Sequence, residues 1–337
     1  MSHNYVLITF KILFSFTIQV SLRSWMKPSF LVKIACAMLL VLFAFNVLNG
    51  GLIMDNSVLF HHITQEDVKT NSSLDVKKNL QLVSYNLWCD FFKPQSVINL
   101  SERIESLAEG IRDFDIALIQ EAYVLNTGVV VFTKCASLLI AAMEKHGFYY
   151  RTSFADLLAP YVGKSGGIVI FSRIPLVRTS SRLYHNYSIA GFSDYRGFVV
   201  GEYIFNSQHL NIINTHLDPH GVKARILQAK ELAGAIKNLN SGSHIVVAGD
   251  FNTDNNYPTT SNSSEEYIEL QRTMNQAGLQ SVFPVRLPTN TDGGNYDAMF
   301  TSSNVAVVKK QILKLVTLKS GKLVSDHFGL AVELEIV

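Results

Sequence analysis

Cysteine is nearly absent from this sequence: Cys36, Cys89 and Cys135 are the only 3 in 337 residues. Cys36 lies in an apolar run near the N-terminus, so the body holds two. That excludes a disulfide scaffold, and neither thiol stands at a zinc-like spacing from a histidine. A bridge between Cys89 and Cys135 can be drawn, but two buried, unlinked thiols are the simpler expectation. Net charge is also small, +2 from 29 basic and 27 acidic residues. Charge alone therefore argues for neither nucleic acid nor an anionic membrane as partner. The most basic stretch, Lys309–Lys322, reads as a solvated hairpin. No segment repeats, which excludes a repeat architecture.

Hydrophobic residues are plentiful, 48% of the chain, with the excess near the N-terminus. Ile34–Met54 is an uncharged run of about the ~20 residues needed to cross a bilayer. Arg23, Lys27 and Lys33 precede it and Asp55 follows, so the N-terminus is expected to stay cytoplasmic and the body to be exported or lumenal. Met26-Lys27 followed by this run also reads as a signal peptide with an internal start, which would leave the body secreted. Sequons at Asn71, Asn99, Asn186 and Asn262 are consistent with export. Residues 1–54 are thus expected to be a targeting or membrane segment, 55–79 a polar linker, and 80–337 the globular body.

Within that body, Leu80–Leu87 alternates apolar and polar residues as a half-buried strand does. Short apolar runs at Asp115–Gln120, Gly166–Phe171, Phe198–Phe205, His209–Thr215, His244–Ala248, Tyr296–Phe300 and Gly329–Ile336 also read as strands. Helical spacing marks Leu100–Arg112, Phe132–His146, Lys223–Leu239 and Glu265–Ala277. Many strands follow one another directly. This favours mixed sheets flanked by helices over a doubly wound parallel sheet.

Polar residues recur where these apolar strands end: Asn86, Glu121, Asn214 and His216, Asp250 and Asn252, and Asp326-His327 before the last strand. Each alone is an ordinary turn or capping residue. Together, carboxylates abutting buried strands call for a metal or a charged partner, because an unpaired buried carboxylate costs several kcal/mol.

The segments Ser84-Tyr85-Asn86, Gln120-Glu121, Ser165-Gly166-Gly167 with Ser172-Arg173, Asn214-Thr215-His216, Gly249-Asp250-Phe251-Asn252, Tyr296-Asp297 and Ser325-Asp326-His327 stand in the order found in the endonuclease/exonuclease/phosphatase superfamily, which the chain resembles across residues 80–337. The resemblance implies a mixed α/β (α+β), DNase I-like fold: a four-layer sandwich of two mixed β-sheets flanked by helices. It implies a Mg²⁺ site, open to Mn²⁺, on Glu121 with Asn86 close by. His327 would be the general base, oriented by Asp297, although Ala298 stands where many members carry an aromatic residue and Asp297 also reads as a strand-edge Asp. Asp250 and Asn252 would orient the water and a phosphoryl oxygen, His216 would donate to the phosphate, and Asp326 would support the metal or phosphate side.

Three features are similar to the neutral sphingomyelinase branch: Leu80–Trp88, the Ser193-Asp194-Tyr195-Arg196-Gly197-Phe198 segment with Arg196 in place of a Lys, and a helix carrying Arg225 and Gln228. Arg196 and Asn214 would contact substrate. The expectation is a monomeric, Mg²⁺-dependent sphingomyelin phosphodiesterase working at a phospholipid surface; the aromatic stretch Tyr149–Tyr161 reads equally as a loop resting on that surface or as core packing. A secreted nuclease, a phosphoinositide phosphatase and a non-catalytic binding module are the alternatives. His185, His209, His220 and His244 are expected in surface or packing roles.

Overall fold

In a computed structural model, residues 78–90, 98–126, 131–154, 163–187, 195–239, 242–254 and 264–337 are described. The apolar segment Ile34–Met54 and residues 55–77 of the linker lie outside them. Among the described residues no helix is long and apolar enough to cross a membrane.

The chain begins β1 (Leu80–Cys89), α1 (Leu100–Gly110), β2 (Ile116–Ala122), β3 (Leu125–Asn126), β4 (Val131–Phe132), α2 (Lys134–Lys145), β5 (Tyr150–Arg151), β6 (Gly163–Lys164) and β7 (Val169–Ser172). It continues β8 (Arg178–Leu183), β9 (Gly197–Phe205), β10 (Gln208–His216), α3 (Val222–Lys237), β11 (His244–Asp250) and α4 (Glu265–Gln276). The last elements are β12 (Leu279–Ser281), β13 (Asp297–Ser302), β14 (Val305–Leu313) and β15 (Gly329–Ile336). One six-stranded sheet has the order β14-β15-β1-β2-β7-β5, a second β12-β13-β11-β10-β9-β8, and β4-β3-β6 form a small third sheet.

The two large sheets bury their apolar faces against each other, with Leu82, Leu118 and Ile170 of the first meeting Ile212, Val246 and Met299 of the second. On the outer faces, α1 and α2 pack Ile104, Leu107 and Leu139 over the first sheet, while α3 and α4 lay Leu232, Ile236 and Leu270 over the second. This is the expected helix–sheet–sheet–helix sandwich. Ser264 begins α4 by accepting from the Tyr267 amide at 3.2 Å, with Glu265 and Glu266 in the first turn where the helix dipole favours acids.

Topology decides where the polar strand ends go. β1 runs parallel to β2 and β10 parallel to β11, so Asn86, Glu121, His216 and Asp250 all emerge at the same end. The antiparallel neighbours start there: β9 opposite His216 at Gly197, β13 opposite Asp250 at Asp297, and β15 just after His327. Gly249 lets β11 come this close to β10. Its φ is +153°, and a Cβ there would lie 1.9 Å from the Thr215 carbonyl oxygen.

Cys89 and Cys135 are joined in a disulfide from the end of β1 to α2, with Cα atoms 6.5 Å apart, in place of the unlinked thiols expected. Spacing in sequence carries no trace of this, because α2 is brought to β1 only by packing on the sheet. Of the aromatic stretch read as lipid-facing or as core packing, Phe154 is core, whereas Tyr149 is 66% exposed and residues 155–161 fall outside the described set.

Candidate active site

Asp250 is the hub of the strand-end cluster. Its Oδ2 accepts from Asn86 Nδ2 at 2.9 Å and lies 3.5 Å from His216 Nε2 and 3.7 Å from His327 Nε2. Its Oδ1 accepts from the Asn252 backbone amide at 2.8 Å. Asn86 is oriented from behind, since its Oδ1 takes the Trp88 amide at 2.9 Å. Asn252 donates its side-chain amide to the Leu217 carbonyl at 3.1 Å. Trp88, Glu121 and Asn252 all hold positive φ, at 55°, 55° and 50°. A left-handed conformation costs a side-chain-bearing residue roughly 1–2 kcal/mol, and three together at one cluster mark backbone held for function.

His327 gives Nδ1 to Asp297 Oδ2 at 2.9 Å, which settles Asp297 as its partner rather than a strand-edge residue. The strand β13 register and the Thr289 hydroxyl, which accepts from the Tyr296 and Asp297 amides at 3.0 and 3.1 Å, hold that carboxylate in place. Burial disfavours a charged imidazole, yet the carboxylates of Asp297 and Asp250, the hydrogen bond to Asp297 and the field of Asp326 outweigh it and raise the His327 pKa to about 10. Burial likewise pushes the Asp250 carboxyl up, to about 6, against the pull of His327. Asp326 stays outside the hydrogen-bonded cluster, with its Oδ1 taking the Ser325 hydroxyl at 3.2 Å and its charge felt by His327 and Arg103.

Glu121, His216 and Asp250 present ligand-type atoms within 4.8 Å of one another, as do Asp250, Asp297 and His327. The donor chemistry fits a hard divalent cation at the first group: Glu121 and Asp250 offer carboxylate oxygens, while Asn86 steadies the Asp250 carboxylate through its amide NH2.

Two expected substrate contacts are corrected. Asn214 is fully buried between the sheets, where Nδ2 donates to the Ile119 and Val169 carbonyls at 2.9 Å each and Oδ1 accepts from Gln120 at 2.8 Å. With donors and acceptor engaged, it braces the sheets below the cleft. Arg196 is 2% exposed and bonds His216 Nδ1 at 2.6 Å, behind the ring rather than in front of it. Arg225 and Gln228 are internal ties as well: Arg225 pairs with Glu266 and donates to the Asp218 carbonyl at 2.9 Å, and Gln228 accepts the Asp218 amide at 2.8 Å. They shape the loop after His216 and carry no information on substrate.

Sequence reasoning missed Arg103, whose guanidinium reaches the carbonyls of Val324, Leu87 and Trp88 and so ties the end of β1 to the Ser325–His327 segment. A signal existed, since residue 103 falls on the apolar stripe of α1, one turn before Leu107. Lys164 was missed too; it pairs with Asp90 at 3.0 Å and lies 4.6 Å over the Tyr123 ring. Away from the site, His244 is packed against backbone carbonyls of His209 and Val337, and His185 lies on the surface with Glu231, as expected of non-catalytic histidines.

The model of the Endonuclease/Exonuclease/phosphatase family matches residues 83–327, from within β1 to His327. The chain belongs to this family. Its members' phosphoester chemistry and the oxygen-rich cluster around Asp250 make it a phosphodiesterase-type hydrolase of the metal-dependent kind. No curated protein sequence matches it. Among solved structures, sphingomyelinase C from Streptomyces griseocarneus superposes with a TM-score of 0.56 at 16% identity over 76% of this chain and 99% of its own. A beta toxin variant from Staphylococcus aureus with bound magnesium ions gives 0.56 at 16%, over 75% and 99%. D. rerio TDP2 complexed with a single-strand DNA product gives 0.56 at 15%, over 77% and 100%. At such identities these family members share the fold and leave the substrate open.

Proposed function

We propose that the chain is a Mg²⁺-dependent sphingomyelin phosphodiesterase, releasing ceramide and phosphocholine. His327, with Nδ1 committed to Asp297, presents Nε2 to the cleft, where it takes a proton from a water held near Asp250. The water oxygen attacks phosphorus, the P–O bond to ceramide breaks, and that oxygen leaves as the alcohol with a proton drawn from solvent. His216 and the Asn252 side chain face the phosphoryl oxygens and stabilise the charge that builds there. Glu121, with Asp250 and Asn86 alongside, would hold a divalent cation, which would supply charge neutralisation at the phosphate and offset the carboxylate field that holds the proton on His327.

The observation that favours a lipid over a nucleic acid is the connection leading into Ser325-Asp326-His327. It is a hairpin closed by a bridge between Val316 and Leu323. It exposes Val316, Leu318 and Leu323 at 51%, 70% and 39% among exposed Lys319 and Lys322. Apolar tips flanked by lysines suit an anionic or zwitterionic interface. The apolar Ile34–Met54 segment, with a body exported on an anchor or secreted, supports the same choice. Phosphocholine release from sphingomyelin vesicles, with plasmid DNA and phosphoinositides in parallel, tests it; cleavage of DNA or phosphoinositide with intact lipid would sink it.

A further inference from the structure

The two histidines of the cleft face chemically opposite partners at the same ring atom. His327 Nδ1 meets a carboxylate, Asp297, at 2.9 Å, so that nitrogen carries the proton and donates. His216 Nδ1 meets the guanidinium of Arg196 at 2.6 Å. A guanidinium has five N–H donors, no acceptor, and does not deprotonate in proteins, so His216 Nδ1 accepts with its lone pair. The proton of a neutral His216 is thereby on Nε2, the nitrogen 3.5 Å from Asp250 Oδ2 and directed into the cluster with Glu121.

Arg196 is in turn held rigidly. It stands one residue before β9, whose Gly197 pairs with His216, so the two side chains start from neighbouring strands in fixed register. Its guanidinium carbon lies 5.6 Å over the Tyr123 ring, and that ring is backed by Gly167, where a Cβ would meet Tyr123 Cδ1 at 2.6 Å. Tyr123 follows Glu121 by two residues, which links the Arg196 platform to the carboxylate at the centre of the metal-binding group. The arrangement has no room for a phosphate between Arg196 and the ring it serves.

We propose that Arg196 is a positioning residue that fixes His216 as an Nε2–H hydrogen-bond donor to the phosphoryl group, while Asp297 fixes His327 as an Nε2 acceptor. One site thus sorts two identical side chains into base and donor by the sign of the charge behind each. The donor role rests on the phosphodiesterase reading above; the tautomer itself does not.

The test uses the full chain labelled with ¹⁵N-histidine, at one neutral pH. Long-range ¹H–¹⁵N spectra report which imidazole nitrogen is protonated, and the His216 signals among the 10 histidines are those lost in H216Q. The expected result is a bare Nδ1 and a protonated Nε2. In R196M this preference collapses and kcat on bis(p-nitrophenyl) phosphate with Mg²⁺ falls about 10–100-fold with little change in KM; R196K, which keeps a cationic donor, restores both. A wild-type His216 protonated on Nδ1 overturns the proposal. So does an R196M protein whose His216 spectrum and kcat are unchanged while KM rises, the signature of a phosphate-binding arginine. If no phosphodiester is hydrolysed by the wild type, the functional reading falls, and the wild-type spectrum alone still decides the tautomer.

Discussion

His327 donates through Nδ1 to Asp297 at 2.9 Å, and this one bond places the only free nitrogen of the ring, Nε2, 3.7 Å from the Asp250 carboxylate. Charge on either side of the imidazole then governs when it can act as a base.

Removal of the Asp297 charge therefore has a signed consequence. Asp297 raises the His327 pKa, so D297N lowers it. Catalysis needs the neutral ring, and the acidic limb of kcat/KM is expected at lower pH in D297N, with a plateau reduced by about 10²–10⁴-fold as orientation is lost. A pH–rate profile with Mg²⁺ checks this; a limb that moves upward contradicts it.

Stability carries the same proton. The folded-state pKa of His327, about 10, lies above its ordinary 6.5, so its contribution is complete below pH 6.5 and is lost as pH rises to about 10. In chelator, urea denaturation of wild type and H327Q is expected to show the wild type ahead by on the order of a few kcal/mol at pH 6, a gap that closes by pH 10. A gap that widens with pH would reverse the assignment.

Glu121 is held in a left-handed conformation beside Asp250 and Asn86. E121Q keeps the shape and loses the anionic oxygen. The melting temperature of the wild type is expected to rise with Mg²⁺ or Mn²⁺ by mass action, and that of E121Q to stay flat over the same range. Equal shifts in both proteins would place the cation elsewhere.

The Cys89–Cys135 bridge joins residues 46 apart in sequence. Constraint of the unfolded chain makes it worth about 2–4 kcal/mol. C135S and mild reduction of the wild type are each expected to lower the unfolding free energy from urea denaturation by that amount; an unchanged value would show that the thiols are not linked in solution.

The fold and most of the cluster were legible because strand ends announce themselves: an apolar run stops at a polar residue, and parallel crossovers carry every such end to one side. Asn86, Glu121, His216 and Asp250 follow that logic, and His327 reaches the same end by standing just before the antiparallel strand β15. Asn214 follows it too and was misread, because it lies on the same strand face as His216 but about 6–7 Å deeper, below the mouth of the cleft. Depth along a strand leaves no mark in the sequence. Arg196 was misread for a related reason: an arginine beside a phosphate site and an arginine behind a histidine look alike until the ring is placed. Strand β14 escaped notice because it is an edge strand with most of its residues exposed, so no apolar alternation survives.

The most direct test is phosphocholine release from sphingomyelin vesicles by the full chain, with and without Mg²⁺, for wild type, H327A and D250A, with plasmid DNA alongside. Mg²⁺-dependent release by the wild type, lost by at least about 10²-fold in both variants and with DNA left intact, is the predicted result. Metal-independent release, release that survives in H327A, or nicking of DNA without turnover of lipid would contradict the account.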